Sequence, residues 1–167
     1  MANYSTVYGI VGSVTPFYTT VSDHSCSLLI SVNTQTMGQI NFVVSPQTFV
    51  LEQHTFGQGE PIIGIYDTSV PVPLIYPPQY QAVVLAQNTF GYRAALNYFD
   101  EDLLSVDQTM KLNIPSDGST QVLLVNGQNF AYNPGDHYLF ILYMSDSMNP
   151  STEVTPQKII VFCNSDE

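Results

Sequence analysis

His24 and Cys26 stand two residues apart, which on a strand turns both side chains to one face, where they could share a metal ion with ligands from elsewhere. No CxxC and no second paired ligand motif accompanies them, and a loop histidine beside a core cysteine accounts for the pair more simply. Asp100-Glu101-Asp102, with Asp107 close behind, is the densest run of carboxylates. Hard cations such as calcium take several oxygen ligands, but no Asp-x-Asp-x-Asp-Gly loop frames these acids, and adjacent carboxylates are ordinarily just solvated. A glycosidase pair would need two carboxyl groups set apart in space, which one sequence does not supply.

Nucleophilic chemistry has no local frame either. There is no Gly-x-Ser-x-Gly elbow, no His-Glu-x-x-His, and no glycine-rich phosphate loop ending in Lys. His54 and His137 are isolated. The expectation is a protein that is not an enzyme, with no cofactor and no metal centre.

The most informative stretch is Val70 to Tyr80. Pro71, Pro73, Pro77 and Pro78 fix φ and remove four backbone donors, so this stretch cannot be a central strand. It reads as a stiff, extended connection displaying Tyr76 and Tyr80, with Tyr66 at its base. Rigid aromatics lose little entropy on binding and suit a protein surface or a sugar face. The candidate ligand or partner site is therefore Tyr66, Tyr76, Pro77, Pro78, Gln79 and Tyr80. The competing reading is a loop that folds back and plugs its own barrel end with those tyrosines. The comparable connection near the other end, Ser145 to Thr155, is less aromatic, so a ligand site would be asymmetric.

These residues sit in a β-rich chain. Its 167 residues are 44% hydrophobic and only 10% charged, with eleven tyrosines, which excludes a disordered polymer. Formal charge is −11, and the only fixed cations are Arg93, Lys111 and Lys158. Phosphate neutralisation takes several Lys or Arg contacts, so nucleic acid and anionic membrane surfaces are excluded as partners. An unknown protein or a neutral ligand is the expected partner, and a homo-oligomer is compatible with the surface two barrels would offer. The amino terminus has no basic segment followed by an apolar run, so the reading is cytoplasmic, or exported if a signal peptide has been removed. Cys26 and Cys163 either stay free or close one long loop.

Period-two alternation with β-branched and aromatic residues predicts strands near 7–15, 26–32, 39–44, 48–51, 62–66 and 81–86, then 93–99, 107–114, 121–125, 129–132, 138–144 and 158–162. Gly9 and Gly12 interrupt the first of these, as at a bulge or bend. A single helical turn is expected at 100–104. The halves also correspond: 42–49 with 123–130, Gly59-Glu60 and 62–65 with Gly135-Asp136 and 138–141, Pro78-Gln79 and 82–84 with Pro156-Gln157 and 159–161. Three matches in one order favour internal duplication. Five main strands in about 80 residues, with the brief 48–51 and 129–132 beside them, is the make-up of a partly open barrel of the oligomer-binding (OB) type. The expectation is all-β: two tandem OB-like small barrels, residues 1–88 and 89–167, with a single β-sandwich as the alternative.

The string from Gly59-Glu60 through Ile65-Tyr66-Asp67, Val70-Pro71-Val72-Pro73 and Leu74-Ile75-Tyr76-Pro77-Pro78-Gln79-Tyr80, with 99–104, Leu112-Asn113 and Thr155-Pro156 before Ile159-Ile160-Val161, resembles a small family of uncharacterised proteins from Gram-positive anaerobic bacteria. The resemblance spans most of the chain and implies OB-like β-barrel domains. It carries no activity.

Overall fold

The structure is a computed structural model that describes residues 2–18, 25–144 and 153–163. It is all-β, and the chain divides between Thr89 and Phe90 into two compact units.

In the first unit the strands are β1 (Tyr4–Pro16), β2 (Leu28–Thr34), β3 (Gln39–Val44), β4 (Phe49–Val50), β5 (Pro61–Asp67), β6 (Gln79–Gln81) and β7 (Val84–Gln87). They form one seven-stranded sheet in the order β4-β7-β5-β1-β2-β3-β6. The β1–β2 register slips between Val11 and Ser13, so the glycine break falls at Gly12. The slip changes the parity of the strand, which lets Val7, Val11 and Val14 all pack on one core. Gly9 serves closeness instead, because a Cβ there would lie 2.6 Å from the Asn33 carbonyl oxygen and from Val32 Cγ1. Ile30 and Val32 of β2 and Ile40 and Phe42 of β3 alternate inward, as a half-buried sheet requires.

The strand expected over 81–86 is two short strands. The Ala82 amide donates to Val43 of β3 at 3.0 Å, and the next amide, Val83, donates to Ile65 of β5 at 2.8 Å. One stretch of chain thus lies along β3 in its first half, parallel, and along β5 in its second, antiparallel. The hydrogen bonds do not curl this sheet into the small barrel expected from the sequence. The sheet is open, ending at β4 and β6, and the stretch that forms β6 at one margin changes partners to become β7 beside β4, because adjacent residues do not ladder to β3 and β5 at once.

The second unit holds β8 (Arg93–Phe99), β9 (Lys111–Leu112), β10 (Gln121–Leu124), β11 (His137–Tyr143), β12 (Glu153–Val154) and β13 (Lys158–Phe162). Its sheets are also open: four strands ordered β10-β13-β11-β8, and a two-stranded pair β12-β9. Phe99, Leu112, Leu139, Ile141, Ile159 and Val161 are the heart of its core. The strand expected over 107–114 shrinks to two residues, and 129–132 contributes only a bridge from Asn129 to Leu123.

The stretch 100–104 is a turn and not a helix, because Asp100 Oδ1 accepts the amides of Asp102 (2.9 Å) and Leu104 (3.0 Å). Among the described residues the only helical turn is the 3₁₀ piece Leu51–Gln53, and no helix is long and apolar enough to cross a membrane.

The same pairings occur in both units: β1 with β5 and β8 with β11, antiparallel; β5 with β7 and β11 with β13, antiparallel; β3 with β6 and β9 with β12, parallel; β4 with β7 and β10 with β13, parallel. This pattern puts 121–124 in the place of 49–50, whereas the sequence match set it against 42–44. The match chose the wrong strand of the first unit, because short alternating strands resemble one another and their sequences do not state which partner each will pair with.

Candidate functional site

The loop joining β5 to β6 is built at its base by hydrogen bonds that the sequence supplies locally. Asp67 ends β5, and its Oδ1 accepts the Ser69 amide at 2.9 Å and the Ser69 hydroxyl at 2.6 Å. The Ser69 hydroxyl and amide, with a smaller contribution from the Asn3 amide, hold the Asp67 carboxyl below the usual carboxylate range. The Thr68 amide and hydroxyl both donate to the Asn3 carbonyl, at 2.7 and 2.9 Å. At the far end the Pro78 carbonyl accepts the Asn41 amide at 2.8 Å, which starts the β3–β6 pairing.

Tyr66 and Tyr80 meet at this base. Their rings stack at 4.2 Å and 25°, and both pack against the first unit's core. Burial pushes the Tyr80 phenol up, and the neighbouring Tyr66 phenol adds to that shift. Tyr76 behaves differently. It is 84% exposed at the loop's apex, next to the exposed Leu74 and Ile75, with a cis peptide bond to Pro77. The loop therefore divides its tyrosines between two tasks, stem packing and display.

Between the loop and the sheet lies a groove of about 180 Å³. Of the residues expected to form a site, Tyr66, Gln79 and Tyr80 line it, whereas Tyr76, Pro77 and Pro78 do not. Tyr4, Asp67, Gln81 and Val83 complete the strand side, and Val70, Pro71, Val72 and Pro73 the loop side. Tyr4 carries no local signal. It arrives because β1 pairs with β5 in a register that sets Tyr4 opposite Asp67.

The division of labour predicts unequal effects. Tyr80→Ala removes a half-buried stacked ring and is expected to cost about 2 kcal/mol, roughly half of a full aromatic truncation. That should lower Tm by about 4–8 °C in a chain of this size, while Tyr76→Ala should leave Tm within about 1 °C. Thermal unfolding followed by circular dichroism reads both, and equal shifts would refute the distinction.

The other sequence candidates are occupied or lie apart. His24 lies outside the described residues, and Cys26 and Cys163 are free and exposed. His54 Nε2 meets Glu60 Oε2 at 2.9 Å, and that oxygen also accepts the Gly57 amide at 3.0 Å, so the Gly-acid turn before β5 is closed by its own carboxylate. Asp100 and Asp107 are engaged by neighbouring amides and hydroxyls. Among the described residues no three His, Cys, Asp or Glu side chains group to hold a metal ion.

No protein-family model matches the chain, and neither does any curated protein or any solved structure.

Proposed function

We propose that the protein is a non-enzymatic binding or assembly module that docks a protein partner on the loop between β5 and β6. The observation that carries this reading is the apex Leu74-Ile75-Tyr76, three consecutive exposed apolar residues on a loop braced by four prolines. Single exposed apolar side chains are commonplace, but a contiguous set on a connection that proline already stiffens is a surface prepared for contact. Less conformational entropy is lost when such a loop is covered. The recurrence of the same strand pairings in both units supports duplicated OB-like units, an architecture that presents ligands to loops and sheet faces.

A neutral carbohydrate is the second reading, favoured by tyrosines beside the Gln79 and Gln81 amides. The stack weighs against it, because Tyr66 and Tyr80 each give one ring face to the other.

The test is random-peptide display against the full chain, repeated with Leu74→Ser/Tyr76→Ser. Selected peptides are expected to bind the double variant at least ten-fold more weakly, with Tm unchanged. Peptides that bind both equally would refute docking at the apex. Glycan-array signal abolished by Tyr66→Ala but retained in the apex variant would establish the sugar reading in its place.

A further inference from the structure

We propose that the groove beside the loop receives a cation: the lysine or arginine side chain of the docking partner. The inference rests on the reading of the loop as a protein-docking element and names the chemistry that would follow the apex contact.

Charge is the first ground. The first unit, Met1–Thr89, contains no Lys or Arg, and its carboxylates are Asp23, Glu52, Glu60 and Asp67. Of these, Asp67 lines the groove, and Ser69 holds it in place through two hydrogen bonds to Oδ1. A fixed carboxylate in a unit with no basic side chain besides its amino-terminal ammonium favours a positive visitor, and the whole chain at −11 would draw one in.

Chemistry of the lining is the second ground. Besides Asp67, the polar groups are the phenols of Tyr4, Tyr66 and Tyr80 and the amides of Gln79 and Gln81, and each of these offers an acceptor oxygen. Lys and Arg present donors only, so they match an acceptor-rich lining that has no cation of its own. Val70, Pro71, Val72 and Pro73 give the loop side an apolar surface suited to the methylene stem of a long basic side chain.

Size is the third ground. At about 180 Å³ the groove falls below the roughly 300–1,000 Å³ of sites that hold whole small-molecule ligands. One side chain fits, with its backbone left outside to meet the exposed Leu74, Ile75 and Tyr76.

The experiment is a two-dimensional amide NMR titration of the full chain with Nα-acetyl-arginine N-methylamide, against the neutral citrulline analogue of nearly the same shape. Saturable shifts are expected at the amides of Val70, Val72, Gln79, Tyr80 and Gln81 with arginine, and at least five-fold weaker binding with citrulline. Asp67→Asn should weaken arginine binding at least five-fold. Asp117→Asn removes the same charge from a serine-capped turn of the second unit, and should leave it unchanged. Should Asp67→Asn unfold the loop, Val72→Lys at an exposed position supplies the second arm. It is expected to abolish the arginine shifts at unaltered Tm, by placing a cation in the groove from within.

Equal shifts with arginine and citrulline, shifts scattered over acidic surface elsewhere, or full binding to Val72→Lys would each overturn the proposal. These outcomes are distinct from failure of the docking reading. A blank arginine titration beside apex-dependent peptides removes the cation site alone, whereas arginine shifts beside apex-independent peptides remove the apex contact alone.

Discussion

Gly64→Ala is expected to destabilise the protein by about 3 kcal/mol, at the upper end of ordinary overpacking. Gly64 lies mid-strand in β5, opposite Val7 of β1 and Leu85 of β7. A Cβ added there would press into the Phe42 ring, 2.5 Å from Cζ and against Cε2. Phe42 is fully buried, and its own strand neighbours are Ile30 and Tyr80, so the ring has little room to retreat. Phe42→Ala should in turn cost about 3–5 kcal/mol through the cavity it leaves.

The two substitutions share that space, so their effects should not add. With the ring gone the new methyl meets no obstacle, and Gly64→Ala should become nearly neutral in the Phe42→Ala background, a coupling of about 2–3 kcal/mol. Urea unfolding of the four members of this cycle measures it. Additive costs would mean that the strand and not the ring relaxes.

Asp107→Asn should cost about 1–2 kcal/mol at neutral pH and close to nothing at pH 2. Partial burial alone would raise the Asp107 carboxyl, but its hydrogen bonds win and bring it down to about 2. Oδ1 accepts the Ser105 hydroxyl at 2.6 Å and the Thr109 hydroxyl and amide at 2.7 and 3.1 Å, and Oδ2 accepts the Asn97 amide at 3.0 Å. Ser105 is itself buried, and its hydroxyl oxygen accepts the Met110 amide at 3.0 Å, so the carboxylate organises the whole connection from β8 to β9.

The magnitude stays at the low end for charge-assisted hydrogen bonds because the carboxylate faces solvent. The sign follows from the direction of the shift. A group whose folded pKa is depressed contributes stability above its unfolded value, near 3.8 here, and loses it as pH falls toward about 2. Urea midpoints of wild type and Asp107→Asn at pH 7, 4 and 2 should therefore converge on acidification. A constant gap across that range would show that the side chain's shape, and not its charge, does the holding. Glu60, Asp67 and Asp117 are depressed in the same direction by their own serine, histidine and backbone donors, so acid should weaken the wild-type chain at several turns together.

Much of this molecule was legible in local sequence. Strands at 39–44, 93–99 and 158–162 stand where the sequence places them, the first two by apolar residues at alternate positions and the last by a short unbroken apolar run, patterns that need no knowledge of neighbours. Four prolines mark the 70–80 stretch as a stiff connection with Tyr66 at its base, but the sequence displays Tyr80 beside Tyr76, and only the structure turns Tyr80 back onto Tyr66 and the core. Other features had no such local origin. The strand expected over 107–114 is cut to Lys111–Leu112 because the Asp107 side chain offers the preceding backbone a turn in its place, a competition that periodicity does not record.

Tyr76 was grouped with Tyr66 and Tyr80 on residue type, yet only the latter two reach the core, since the apex is held clear of the sheet. The transfer at Ala82–Val83 from β3 to β5, the arrival of Tyr4 beside Asp67, and the open margins of the sheets are matters of partner choice. Alternation states which face of a strand is apolar. It does not state which strand will lie alongside, because that depends on burying distant residues together, and only the folded chain brings those residues within reach.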